Sequence, residues 1–316
     1  MQNNFFRNVP VLVFLMAFYS SSIFAQSPKF PALVEDQRVI KGEADKWDEN
    51  KVHTLSIVEA NKDGYKYWGY YGLAYYGTNE ASLRKAGIIR SNDLDNWVRY
   101  EGNPIIEGDC RWPTVVLRDG VFYMFYAEYN ADCDSRIVMV TSKDGIKFDD
   151  KKVIVPMEKG KQNQNPFIFY NEQDQTFYLT YYNGVERDKD ASKNRWNIMI
   201  KKSKDIKGLA KAEPKLLLTS PNILAAPSIA YYNNKYYLLA EAFIYGKWND
   251  QWVTIGYVSD KPDGDYVEVE NDPPVLSNND ACAFQYVINN ELYITYSHCV
   301  DLDKWDWELR MVKAKK

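Results

Sequence analysis

A strand, a short polar turn and a tyrosine-rich second strand recur five times along the chain. A repeat of this size restricts the available folds more than any single residue does. The clearest copy is Pro113-Thr114-Val115-Val116-Leu117-Arg118-Asp119-Gly120-Val121-Phe122-Tyr123-Met124-Phe125-Tyr126. Residues 166–182, 227–241 and 283–297 repeat it around Asn171-Glu172-Gln173-Asp174, Asn233-Asn234 and Asn289-Asn290, and a first copy covers residues 53–76 around Asn61-Lys62-Asp63-Gly64. Asp-Gly and Asn-Asn pairs suit tight hairpin turns because they tolerate positive φ.

A second element follows most hairpins: a strand ending in Ser-x-Asp or its variant, a turn, and a short strand. It begins at Ile88-Ile89-Arg90-Ser91-Asn92-Asp93, Val138-Met139-Val140-Thr141-Ser142-Lys143-Asp144, Ile198-Met199-Ile200-Lys201-Lys202-Ser203-Lys204-Asp205 and Ile255-Gly256-Tyr257-Val258-Ser259-Asp260. Hairpin plus pair gives four strands per repeat, the make-up of a propeller blade. Helical periodicity is nearly absent. The spacing, roughly 55 to 60 residues, predicts an all-β, five-bladed β-propeller of four-stranded antiparallel blades. The last repeat ends at residues 309–312 without a fourth strand, and residues 35–41 can supply one, closing the ring and removing exposed edges.

Residues 1–25 read as a signal peptide: Arg7, an apolar run over residues 9–19, and small residues ending at Ala25. The run is shorter than the ~20 apolar residues of a spanning helix. The expectation is export to the periplasm or the extracellular space, with no membrane association after cleavage and residues 26–316 forming one domain. Loss of Arg7 takes the net charge from -4 to -5. With an acidic balance and no basic block, nucleic acid is excluded as a partner. Dinucleotide, phosphate-loop, zinc-protease and serine-hydrolase motifs are absent from the sequence. The 25 tyrosines and 9 tryptophans suit a sugar-binding surface, since each ring has an apolar face and a polar edge.

The string Ser91-Asn92-Asp93-Leu94-Asp95-Asn96-Trp97, followed by Asn103-Pro104-Ile105-Ile106 and the Asp119-Gly120 hairpin, resembles the five-bladed glycoside hydrolases of family 43 and its relatives over roughly residues 45–313. The resemblance implies three carboxylates near the starts of first strands: a base, an acid and an Asp that tunes the acid. Carried over by position, the base falls on His53, the tuning Asp on Asn165 and the acid on Ala225. None of these is a carboxylate, so the resemblance implies either a non-standard acid/base set or a site that binds without cleaving.

First strands begin and second strands end on one face, which limits where replacements sit. The catalytic candidates there are His53, Asp109, Glu128 and Glu241; the substrate-binding candidates are Arg111, Trp112, Asn165 and His298. Three readings of His53 and His298 stand open: hydrogen-bonded rim residues, an acid or base near neutral pH, or a shared metal or water site. Glu128 and Glu241 are either structural acceptors or catalysts. Arg111 is either a substrate clamp or half of a buried ion pair, and Trp112 is either packing or a stacking platform. Cys110 and Cys133 flank the second hairpin as Cys282 and Cys299 flank the fifth, which predicts the disulfides Cys110–Cys133 and Cys282–Cys299. The resulting expectation is an exported, monomeric glycosidase-like protein acting on a polysaccharide or oligosaccharide. The alternative is a carbohydrate-binding propeller without hydrolysis. No cofactor or metal is expected beyond a structural cation that a central channel could hold.

Overall fold

The computed structural model describes residues 27–74, 83–185, 196–219, 223–243, 251–277 and 279–315. The expected signal peptide lies outside them. Among the described residues no helix is long and apolar enough to cross a membrane.

The regular structure is antiparallel sheet. One four-stranded sheet consists of β2 (Val52–Lys62), β3 (Tyr65–Leu73), β4 (Gly87–Ser91) and β5 (Val98–Arg99), and a second of β6 (Arg111–Arg118), β7 (Val121–Tyr129), β8 (Ser135–Ser142) and β9 (Asp149–Val155). An eight-stranded sheet contains β10 (Lys161–Asn171), β11 (Thr176–Val185), β12 (Trp196–Ser203) and β13 (Lys215–Leu218), then β14 (Ile223–Tyr232), β15 (Lys235–Phe243), β16 (Trp252–Ser259) and β17 (Val267–Glu268). Its halves are joined by a single parallel pair, Trp196 with Ile223. The last sheet comprises β18 (Asp280–Ile288), β19 (Glu291–Asp301), β20 (Asp306–Ala314) and, from the other end of the chain, β1 (Leu33–Lys41). β1 pairs with β20 from Leu33 opposite Ala314 to Lys41 opposite Glu308.

The turn chemistry sets these registers. Asp119-Gly120, Asn233-Asn234 and Asn289-Asn290 all have positive φ at both residues, as two-residue hairpin loops require. The Ser-x-Asp strings close the next turn. Ser91 Oγ accepts the Leu94 N–H at 3.0 Å while Asp93 accepts those of Asp95 and Asn96. Ser142 and Asp144 repeat this with Gly145, Ile146 and Lys147. Gly145 is required there: its φ is +78°, and a Cβ would lie 2.8 Å from the Tyr70 hydroxyl.

The first strands of the hairpins, β2, β6, β10, β14 and β18, contact one another in that cyclic order and close back to β2. A buried hydroxyl bridges each joint: Ser56 to the Val115 N–H, Thr114 to the Ile168 N–H, Thr180 to the Pro227 carbonyl, Ser228 to the Ala283 carbonyl and Thr295 to the Leu55 carbonyl. Each satisfies a buried polar group and contributes about 1 kcal/mol. Apolar clusters fill the wedges between neighbouring sheets. One joins Trp68, Tyr70 and Ile88 to Phe122, Met124 and Val138; another joins Leu239 to Ala283, Ile294 and Tyr296. Much of the tyrosine content is therefore interior packing, Tyr70, Tyr71 and Tyr181 being among the largest fully buried side chains.

Candidate functional site

Each first strand opens with the same irregularity. The register slips by one residue between His53 and Leu55, Arg111 and Thr114, Gln164 and Phe167, Ala225 and Ser228, and Ala281 and Phe284. The extra residue adopts a left-handed backbone every time: Thr54 (φ 58°), Trp112 (52°), Asn165 (48°), Ala226 (43°) and Cys282 (52°). A bulge of this kind bends the strand and re-aims its side chains. Pro113, Pro166 and Pro227 follow three of the five. This common register revises the carry-over by position, because the residue equivalent to Trp112 and Asn165 in the first hairpin is Thr54, one place after His53.

Three of the five bulge residues meet. Asn165 donates through Nδ2 to Cys282 Sγ at 3.3 Å, and Thr54 hydrogen-bonds the same sulfur. Glu241, on β15 directly opposite Ala225, accepts the Cys282 backbone N–H and a bond from its thiol. Burial raises the Glu241 carboxyl above its ordinary pKa, while the two Cys282 donors oppose the shift. Burial also pushes the Cys282 thiol well up, so it stays protonated. The acid position that the resemblance places on Ala225 is thus empty of a carboxyl, but the half-buried carboxyl of Glu241 stands across the ladder from it.

His53 is 1% exposed. Its Nδ1 lies 3.0 Å from Thr54 Oγ1, and its ring sits edge-on to Trp307 with centroids 5.0 Å apart. Burial, and secondarily the Arg84 guanidinium, lower its pKa to about 3. The imidazole is neutral near pH 7 and a weak base, which disfavours the acid/base reading. Asp109 is bound to Arg111 Nε at 2.5 Å and to the Tyr129 N–H at 2.5 Å. The Arg111 guanidinium lies 3.7 Å from the Tyr129 ring centre, and Trp112 packs at 6.1 Å from the same ring. Arg111 is buried, so of its two expected roles the ion pair is the one in place; Trp112, half-buried, keeps a face toward solvent.

Glu128 faces the outer strands. It accepts from Arg136 Nε at 2.8 Å and from Lys151 Nζ at 2.5 Å. His298 Nδ1 lies 2.8 Å from Asp280 Oδ1, and Asp280 Oδ2 accepts from Ser277. Alternation along β20 separates the two histidines: Trp307, against His53, is opposite Cys299, whereas Glu308 is opposite His298. His53 and His298 lie on opposite faces of that sheet and do not form a shared site. Among the described residues no group of three or more His, Cys, Asp or Glu side chains is placed to hold a metal ion.

The disulfide expectation is corrected. All four cysteines are described, and none is bonded to another. The bulge turns Cys282 toward Asn165 and Glu241, away from Cys299, whose backbone N–H bonds the Asn279 carbonyl. Cys110 packs in the wedge with Trp68 and Tyr126, while Cys133 occupies the turn closed by the Asn130 carbonyl.

Sequence reading missed Thr54, Cys282 and Arg84. The Pro that follows three bulges was the available signal, since aligning on it puts Thr54 and Cys282 in the same column.

No protein-family model matches the sequence, and no curated protein matches it. Solved structures do resemble the fold. A thermostable family-43 glycoside hydrolase superposes with a TM-score of 0.63 at 17% identity, over 84% of this chain and 93% of that one. The catalytic domain of a family-62 α-L-arabinofuranosidase from Coprinopsis cinerea gives 0.65 at 11% identity, over 91% and 98%. A family-43 β-xylosidase/α-arabinofuranosidase from a compost microbial metagenome, solved with xylotriose, gives 0.63 at 15% identity, over 90% and 95%. The chain thus has the propeller fold of these glycoside hydrolases.

Proposed function

We propose that the protein is an exported, single-domain, five-bladed propeller that cleaves glycosidic bonds of a polysaccharide or oligosaccharide at the bulged ends of its first strands. The blade count rests on five hairpins and five bulges whose first strands contact one another in one closed cycle. Glu241 is the observation that carries the activity. Burial raises the Glu241 carboxyl above its ordinary pKa, the direction that donation to a leaving glycosidic oxygen needs. The half-buried Trp112, at the bulge of the second hairpin, provides an aromatic face for the sugar, and Asn165 holds Cys282 against Glu241. Arg111, its charge matched by Asp109 and its guanidinium against the Tyr129 ring, holds that wall in place.

A second reading, carbohydrate binding without hydrolysis, is favoured by one feature: Thr54, Asn165 and Ala225 stand where the resembled family has carboxylates. Product detection on a panel of plant, algal and host oligosaccharides separates the two. Cleavage by the native chain that is lost in Glu241→Gln and kept in Glu128→Gln supports the enzyme. Measurable binding with no product from any member supports the binding module.

A further inference from the structure

His298 combines three features. Its side chain is 32% exposed. One ring nitrogen is fixed by a carboxylate, Asp280, which is itself held by the Ser277 N–H at 3.1 Å and hydroxyl at 2.8 Å. Among the described residues the bond at Nδ1 is the only side-chain hydrogen bond of His298, and Nε2 makes none. A carboxylate on Nδ1 fixes the tautomer and orientation so that Nε2 can accept a proton.

The placement relative to Glu241 follows from the ladders. Glu241 bonds Cys282 on β18, Asp280 lies two residues earlier on the same strand, and His298 is directly opposite Asp280. Glu241 and the Asp280–His298 pair therefore meet the same end of β18. Tyr296 and His298 share a face of β19, and Tyr296 packs with Leu239 of β15, so this face looks toward the hairpin that bears Glu241. The other charged groups around His298 are accounted for: Glu308, opposite it on β20, is neutralised by Arg310 at 2.6 Å and Arg38 at 3.5 Å, and Arg310 also binds Asp36.

We propose that His298, oriented by Asp280, is the proton acceptor that complements Glu241 in glycoside hydrolysis. This rests on the hydrolytic reading above and adds its second catalytic residue. Nε2 takes a proton from the attacking water as the water oxygen bonds the anomeric carbon. The glycosidic carbon–oxygen bond breaks, and the leaving oxygen takes the Glu241 proton. Solvent then returns the proton from His298 to Glu241. No other reactant is needed, and the product anomer is inverted because the base never bonds the sugar. Asp280 is a positioning residue.

The test uses the full mature chain and an oligosaccharide that it cleaves. His298→Ala is expected to lower kcat by about 100-fold or more, with product binding by calorimetry unchanged and activity partly restored by added imidazole. Asp280→Asn is expected to lower kcat with little change in KM, and NMR of the first product is expected to show inversion. If Glu241→Gln is inactive while His298→Ala keeps native activity, or if imidazole restores nothing, the assignment of His298 is overturned and the hydrolytic reading stands. If the native chain cleaves no member of the panel, both fall.

Discussion

The backbone N–H of Cys282, the bulge residue of β18, is bonded to the carboxyl of Glu241 on β15. This contact joins two neighbouring hairpins at the mouth of the ring, and the thiol adds a second bond to the same carboxyl. Cys282→Ser keeps a donor and is expected to leave stability within about 1 kcal/mol. Cys282→Ala strands the buried Asn165 amide and removes one donor to Glu241, at a cost of about 1–3 kcal/mol. Urea midpoints of the two variants check the difference.

A buried neutral histidine makes stability depend on pH. The folded-state pKa of His53, about 3, lies below its ordinary value of 6.5. Between these values the unfolded chain binds a proton that the folded chain does not. Stability is complete above pH 6.5 and falls by about 1.4 kcal/mol per pH unit as the pH drops toward 3. His53→Gln is expected to remove this slope. Denaturation of both proteins at pH 7, 5.5 and 4.5 reads the difference directly.

Much of the fold was legible in the sequence because its signals are local. Asp119-Gly120 and Asn289-Asn290 announce tight turns within two residues, and Ser142-Lys143-Asp144 closes its turn with its own side chains. The site was less legible. A bulge adds one residue to a pattern of period two, so His53 and Thr54 exchange faces without any change in composition. Long-range partners are equally silent: Glu128 reads as either a structural acceptor or a catalyst until Lys151 of another strand is seen against it. The cysteine pairing failed for the same reason, since spacing suggested proximity whereas the bulge decided direction.

The Arg111–Asp109 pair is buried, and breaking it leaves an uncompensated charge. Arg111→Ala is expected to destabilise the fold by about 3–5 kcal/mol. Arg111→Lys, which keeps the charge but not the flat stack on Tyr129, is expected to lose less. Thermal melts with the Asp109→Asn/Arg111→Ala double variant complete the cycle, and a recovery of stability in the double variant shows that the pair is the cause.

Four thiols have a chemical signature. In denaturant, a thiol reagent is expected to count four per chain, and reducing agent is expected to leave the melting temperature unchanged. In the folded protein the buried Cys110, Cys282 and Cys299 react slowly, because burial also raises their pKa values. A count of two or none in denaturant without reductant contradicts the structure at these positions.

The proposed hydrolysis turns on Glu241, the half-buried carboxyl at the bulged mouth of the ring, as the proton donor for glycosidic cleavage. Its most direct test is the product time course of native protein and Glu241→Gln on the same oligosaccharide, with binding of both measured in parallel. The prediction is cleavage by the native protein and a loss of about 100-fold or more in kcat for the variant, with binding retained. Equal cleavage by the two proteins contradicts it.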